Sequence, residues 1–226
     1  MDIPNGNAHK PSAFAAFTDR GIQWIADPAC RYLIPRALEA LLHPGASADC
    51  RLLRENPVRR SMIIRLPHAG ETIFAKLYKT PSAAERFKYL LFPSKAASEW
   101  NAMLNFYTRG LPVAVPLARG ERRKRGFLEE AYLFTRAIEG AVPLNEFLAG
   151  PAAFEQQEML IEATSRLVAK MHTAGFFFRD LHAGNILVVP GADASERIYL
   201  VDLHKVWHTG WVPLWMRARD LAQLRN

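Results

Sequence analysis

Two carboxylates and an amide in the last quarter of this chain are spaced for metal-assisted phosphoryl transfer. Asp180 and Asn185 are separated by four residues in the run Phe177-Phe178-Arg179-Asp180-Leu181-His182-Ala183-Gly184-Asn185. Asp202 follows, after the apolar run Ile198-Tyr199-Leu200-Val201. A positioned carboxylate can take up the proton of an attacking hydroxyl, and an amide oxygen with a second carboxylate supplies the hard donors that Mg2+ prefers. On this reading Asp180 is the base, and Asn185 and Asp202 are the metal ligands. His182, two residues past Asp180, is placed to donate to the moving phosphoryl group. An Asp or Asn beside Gly184 is also ordinary loop chemistry, so these residues do not decide the matter alone.

The triphosphate of ATP needs a cation on a stiff element. In Thr72-Ile73-Phe74-Ala75-Lys76-Leu77-Tyr78, alternate side chains point to opposite faces, which predicts a strand carrying Lys76. Residues 94–109 predict a helix, with Trp100, Met103, Leu104 and Tyr107 at three- and four-residue intervals and Gly110 as its stop. Glu99 lies beside that stripe, where it would pair with Lys76 and fix the ammonium group against the non-transferred phosphates. A lone strand lysine is usually just a solvated pleat residue, and Glu99 alone says less. Their joint order carries the weight: strand Lys, helix Glu, long helix, Asp-x4-Asn, strand, Asp.

The elements that position these residues fall into two lobes. Residues 1–20 read as an arm, residues 21–139 as the first lobe and residues 140–226 as the second. In the first lobe, Ser61–Leu66 and Thr72–Tyr78 flank a turn and predict an antiparallel hairpin. Two prolines make Leu111–Leu117 an extended entry to a strand. Glu121–Gly126 reads as a charged turn and Glu130–Thr135 as a buried strand. In the second lobe, Ala153–Thr173 is the clearest helix, with Leu160, Ala163, Leu167, Met171 and Ala174 on one face and Gly175 ending it. The Asp180 loop and two short strands follow, separated by the turn Pro190–Ser195.

With 226 residues and a net charge of +7, the chain has ample core and favours an anionic partner. Cys30 and Cys50 have no metal-like spacing and predict a reducing, cytoplasmic setting. The polar N-terminus lacks the apolar core of a signal peptide. No run approaches the roughly 18 to 20 apolar residues that cross a bilayer.

The run Arg179–Val188 resembles the protein-kinase-like superfamily, in the version shared by aminoglycoside phosphotransferases and bacterial sugar kinases. Further pieces are similar to the lipopolysaccharide kinase (Kdo/WaaP) family over roughly residues 70–226. They are Glu99-Trp100, Gly110-Leu111-Pro112-Val113 with Pro116-Leu117, Val201–Val206, and Arg219-Asp220-Leu221-Ala222-Gln223-Leu224. The resemblance implies an α+β, bilobal protein-kinase-like fold: an antiparallel-sheet N-lobe with one main helix, and a small, mainly helical C-lobe. It also implies ATP and Mg2+ as cofactors, and phosphorylation of a heptose or Kdo sugar of the lipopolysaccharide inner core at the cytoplasmic face of the inner membrane.

The sequence departs from the wider kinase pattern in three places. Phe178 stands where most kinases have His, Leu203-His204 replaces the residues after the metal-binding Asp, and the expected nucleotide-covering hairpin near Glu55–Ser61 has no glycine. Arg59, Arg60 or Ser61 would have to serve there instead. Two alternatives stay open: a kinase for another small-molecule or protein acceptor, and a non-catalytic pseudokinase that binds a partner, which the glycine-free hairpin keeps open. Only 24 residues follow Asp202, which argues for a small or lipid-linked acceptor.

Trp207, Trp211 and Trp215, among His204, Lys205, His208, Arg217 and Arg219, read either as packing on the C-lobe core, which is favoured, or as an interfacial belt touching an anionic membrane peripherally. His204 and His208 lack a third ligand for a metal. The basic run Arg122–Arg125 reads as a solvated hairpin tip that anionic lipid would suit as well, and nucleic acid is disfavoured.

Overall fold

The computed structural model describes residues 13–45, 49–150, 154–191 and 198–224. The polar N-terminus and most of the turn at Pro190–Ser195 lie outside these residues. The chain divides into two compact units, residues 1–100 with 115–137 and residues 101–114 with 138–226.

The first unit is built on one antiparallel sheet. Its strands are β1 (Ala15–Asp19), β2 (Ile22–Ala26), β3 (Cys50–Asn56), β4 (Arg59–Leu66), β5 (Glu71–Lys79), β6 (Pro116–Lys124) and β7 (Phe127–Arg136). They lie in the order β1-β2-β6-β7-β5-β4-β3. The hairpin expected around Gly70 is β4–β5, pairing Arg59 with Tyr78 through to Leu66 with Glu71. Residues 15–19, expected in the arm, instead form an edge strand on β2. The charged run Glu121–Lys124, expected in a turn, continues β6. Arg122 sits opposite Glu130 there and its guanidinium reaches that carboxylate at 3.1 Å, so the charges match across strands. Only Arg125 and Gly126 turn, both with positive φ, as a two-residue hairpin loop requires.

The expected main helix is α3 (Lys95–Thr108), and two more accompany it, α1 (Ile34–Leu42) and α2 (Ala83–Leu91). Ile34, Ala37, Leu38 and Leu41 recur at helical spacing on α1 and are buried with Trp24, Met62, Ile64, Ile73, Ala75, Leu77 and Phe134 from the sheet. This core makes β5 a rigid central strand.

The second unit holds β8 (Val142–Pro143), α4 (Leu144–Ala149), α5 (Phe154–Thr173), β9 (Phe176–Phe178), β10 (Ile186–Val188), β11 (Ile198–Leu200), β12 (Val206–His208) and α6 (Leu214–Leu224). The predicted face of α5 is buried at Leu160, Ala163, Leu167 and Met171. Strands β8, β10 and β11 form one small sheet, and β9 pairs with β12 in another. The three phenylalanines of β9 are fully buried, so the loop leaving Phe178 starts from a fixed point.

Candidate active site

Lys76 and Glu99, predicted as partners, meet in the first unit. Lys76 lies on β5 between Ser61 of β4 and Leu133 of β7, in the middle of the sheet. Its Nζ donates to Glu99 Oε1 at 2.6 Å, and Tyr78 Oη donates to Glu99 Oε2 at 2.8 Å. Both charged side chains are buried. A buried ion pair is poor evidence for stability, because desolvating two charges offsets most of their attraction. It does hold an ammonium in one place, which is what a phosphate contact needs.

The β3–β4 hairpin shows how a glycine-free turn closes. Asn56 Oδ1 accepts from the backbone N–H of Val58 at 3.1 Å and of Arg59 at 2.7 Å. An Asx turn thus replaces glycine, and those two amides already have an acceptor. The stand-ins expected for phosphate contact are also largely engaged. Arg60 Nη1 donates to the carbonyls of Leu41 and Leu42 at 2.8 and 3.1 Å, closing the C-terminus of α1. Ser61 is buried, and the Arg59 guanidinium lies over the Tyr78 ring.

In the second unit, Asp180, Asn185 and Asp202 lie at strand ends, the last two at the ends of the paired strands β10 and β11. Asp180 follows β9, Asn185 opens β10, and Asp202 lies just past β11. Asn185 Nδ2 donates to the Asp180 carbonyl at 2.9 Å, and the Val201 N–H donates to the Asn185 carbonyl at 3.0 Å. With its NH2 group so engaged, the Asn185 Oδ1 is the amide's acceptor atom. Asp202 adopts the left-handed region, φ 61° and ψ 43°, at a cost of roughly 1–2 kcal/mol for a residue with a Cβ. Such strain is retained where it aims a side chain. The oxygens of Asn185 and Asp202 are hard donors of the kind that fits Mg2+.

His182 lies in the same loop as Asp180. It meets Asp180 through its backbone N–H, 3.1 Å from the Asp180 carbonyl, while its side chain is exposed beside Gly184. A Cβ at Gly184 would lie 3.1 Å from the imidazole ring. Among the described residues, Lys205 reaches Asp180, its Nζ donating to Oδ2 at 2.8 Å. Sequence reasoning noted Lys205 within the Val201–Val206 piece and as one cation of the tryptophan-rich tail, without a role toward Asp180.

Two further residues missed as site residues pin this loop. Asp220, fully buried on α6, accepts at Oδ2 from the Phe178 N–H at 3.1 Å and lies 2.9 Å from His172 Nε2. Gln223 accepts from the Leu181 N–H at 3.2 Å and donates to the Arg179 carbonyl at 3.0 Å. Their signal was the motif Arg219–Leu224, one turn of helix placing Asp and Gln on the same face.

The tryptophans do not pack as expected. Trp207, Trp211 and Trp215 are all exposed, on β12, in a bend and on α6, with Arg179 over the Trp207 ring at 4.6 Å. His204 Nδ1 contacts Asp202 Oδ1 at 3.0 Å, whereas His208 stacks near Phe176, so the two histidines do not share a ligand site.

Comparison with known proteins bears on residues 49–226, which match the model of the lipopolysaccharide kinase (Kdo/WaaP) family. The lipopolysaccharide core heptose(I) kinase WaaP of Escherichia coli (strain K12) is 27% identical over 184 residues, 76% of this chain and 69% of the relative. The 3-deoxy-D-manno-octulosonic acid kinase of Xylella fastidiosa (strain M12) is 28% identical over 135 residues, 58% of this chain and 49% of the relative. A solved structure of WaaP in complex with acyl carrier protein has the same fold, with TM-score 0.62 and 24% identity over 88% of this chain and 78% of that one.

Proposed function

Because the chain belongs to the lipopolysaccharide kinase (Kdo/WaaP) family, we propose that it transfers the γ-phosphoryl group of ATP to a heptose or Kdo hydroxyl of the lipopolysaccharide inner core. The observation that carries this reading is the Asp180 loop. It lies within the matched segment, its backbone is fixed by Asp220 and Gln223, and its carboxylate is held by Lys205. Asp180 accepts the proton of the sugar hydroxyl as the sugar oxygen forms its bond to the γ-phosphorus. The bond from that phosphorus to the β–γ bridging oxygen breaks, and ADP leaves. Lys76, held by Glu99, neutralises the non-transferred phosphates. Asn185 and Asp202 would hold Mg2+, which when bound neutralises triphosphate charge and orients the γ-phosphoryl group.

The acceptor is lipid-linked, so the enzyme works peripherally at the cytoplasmic face of the inner membrane. Among the described residues, no helix is long and apolar enough to cross a membrane. The test is transfer of radiolabelled phosphate from Mg-ATP to purified lipopolysaccharide lacking core phosphate, beside aminoglycoside and protein acceptors. Label is expected in the lipopolysaccharide core and to fall by about 10² to 10⁴-fold in Asp180→Ala. Label on another acceptor alone, or equal transfer by Asp180→Ala, would sink the reading.

A further inference from the structure

Five large apolar side chains stand exposed in one region of the first unit. Phe87, Leu90 and Leu91 belong to α2, Phe92 follows it, and Phe127 lies at the tip of the β6–β7 hairpin. Leu91 is 76% exposed, Phe87 61% and Phe92 59%. Helix α2 is well formed at its start, where Ser82 Oγ accepts from the Glu85 N–H at 3.1 Å. Yet it buries only Tyr89 and turns its remaining apolar residues to solvent.

Helix and hairpin tip are one surface. Arg123 Nη1 donates to the Tyr89 carbonyl at 3.1 Å and to the Gly126 carbonyl at 3.0 Å, tying the last turn of α2 to the hairpin loop. Leu90 reaches the same loop, with Cδ2 3.8 Å from where a Cβ on Gly126 would sit.

Cations flank this apolar group. Lys88 on α2 and Lys124 and Arg125 at the hairpin tip are exposed. Of the hairpin's acidic residues, Glu121 pairs with Arg123 at 2.8 Å and Glu130 with Arg122 at 3.1 Å, while Glu129 lies two residues from Phe127 on β7. Glu85 lies in the first turn of α2, away from Leu90, Leu91 and Phe92 at its end.

Contiguous exposed apolar side chains of this size mark a binding surface. Leu and Phe at the front with Lys and Arg beside them are the composition of an interfacial membrane contact, in which rings enter the headgroup boundary and cations meet lipid phosphates. We propose that the face formed by α2 and the β6–β7 tip docks the protein on an anionic phospholipid bilayer. Charge complementarity favours the lipid: three exposed cations flank the patch, Glu121 and Glu130 are paired with arginines, and the whole chain carries +7. The proposal rests on the peripheral membrane placement given above and names the surface responsible.

The test is co-sedimentation of the full chain with vesicles of phosphatidylcholine alone and of phosphatidylcholine mixed equally with phosphatidylglycerol. Binding is expected only with phosphatidylglycerol. The Leu91→Ser/Phe92→Ser variant should bind at least about tenfold more weakly. Replacing Lys88, Lys124 and Arg125 with Gln should weaken binding by about fivefold per cation. These side chains are exposed, and the charge variant stands as a second route should the apolar one fold poorly. Two outcomes overturn the proposal: a wild-type protein that ignores both vesicles, as a protein-docking surface would, or patch variants that bind like wild type while Trp211→Ser/Trp215→Ser does not. Transfer to detergent-dispersed lipopolysaccharide by the same proteins separates the two readings, since it reports the reaction without the bilayer.

Discussion

Lys205 donates to Asp180 Oδ2 at 2.8 Å from a half-exposed position, so its worth is orientation of the carboxylate more than stability. An exposed ion pair contributes about 0–1 kcal/mol to folding. Lys205→Ala should therefore leave the unfolding midpoint nearly unchanged yet lower kcat by about 10-fold or more, with KM for ATP little altered and Lys205→Arg restoring part of the rate. A parallel loss in stability, or no change in kcat, would contradict that role. Lys76 and Glu99 were legible because strand alternation and helix spacing are local signals. The Lys205–Asp180 pair was not, because it depends on the ladder that sets Phe178 opposite Val206. Residues in that ladder are far apart in sequence, and no local pattern fixes such a register.

The β3–β4 hairpin makes the corresponding point for an element. Its lack of glycine looked like a defect in a nucleotide-covering turn, but Asn56 supplies the turn chemistry by accepting from Val58 and Arg59. Asn56→Ala should lower stability by about 0.5–1.5 kcal/mol, read as a lower urea midpoint at unchanged slope. An unchanged midpoint would mean that the strands alone hold the turn. Elsewhere the sequence misled by composition. Glu121–Lys124 is so charged that it read as a turn, although Arg122 and Glu130 are cross-strand neighbours. Helix α1 carried the right spacing at Ile34, Ala37, Leu38 and Leu41 but went unread, its first turn interrupted by Pro35, a residue that helix starts tolerate.

Across the whole molecule, the family match begins at residue 49, but the first unit does not. Ile22, Trp24, Leu38 and Leu41 lie upstream of the match and are buried in that unit's core. The second unit instead depends on α6, whose Asp220 and Gln223 hold the backbone at Phe178, Arg179 and Leu181. A loop anchored this way is only as heat-resistant as its anchor. Local opening of one helix needs less free energy than melting a seven-stranded sheet. On warming, phosphotransfer should fail several degrees before the sheet's circular-dichroism signal collapses, and recover fully if cooling follows at once. The temperature limit of phosphotransfer would then be set by a helix that carries none of Asp180, Asn185 and Asp202.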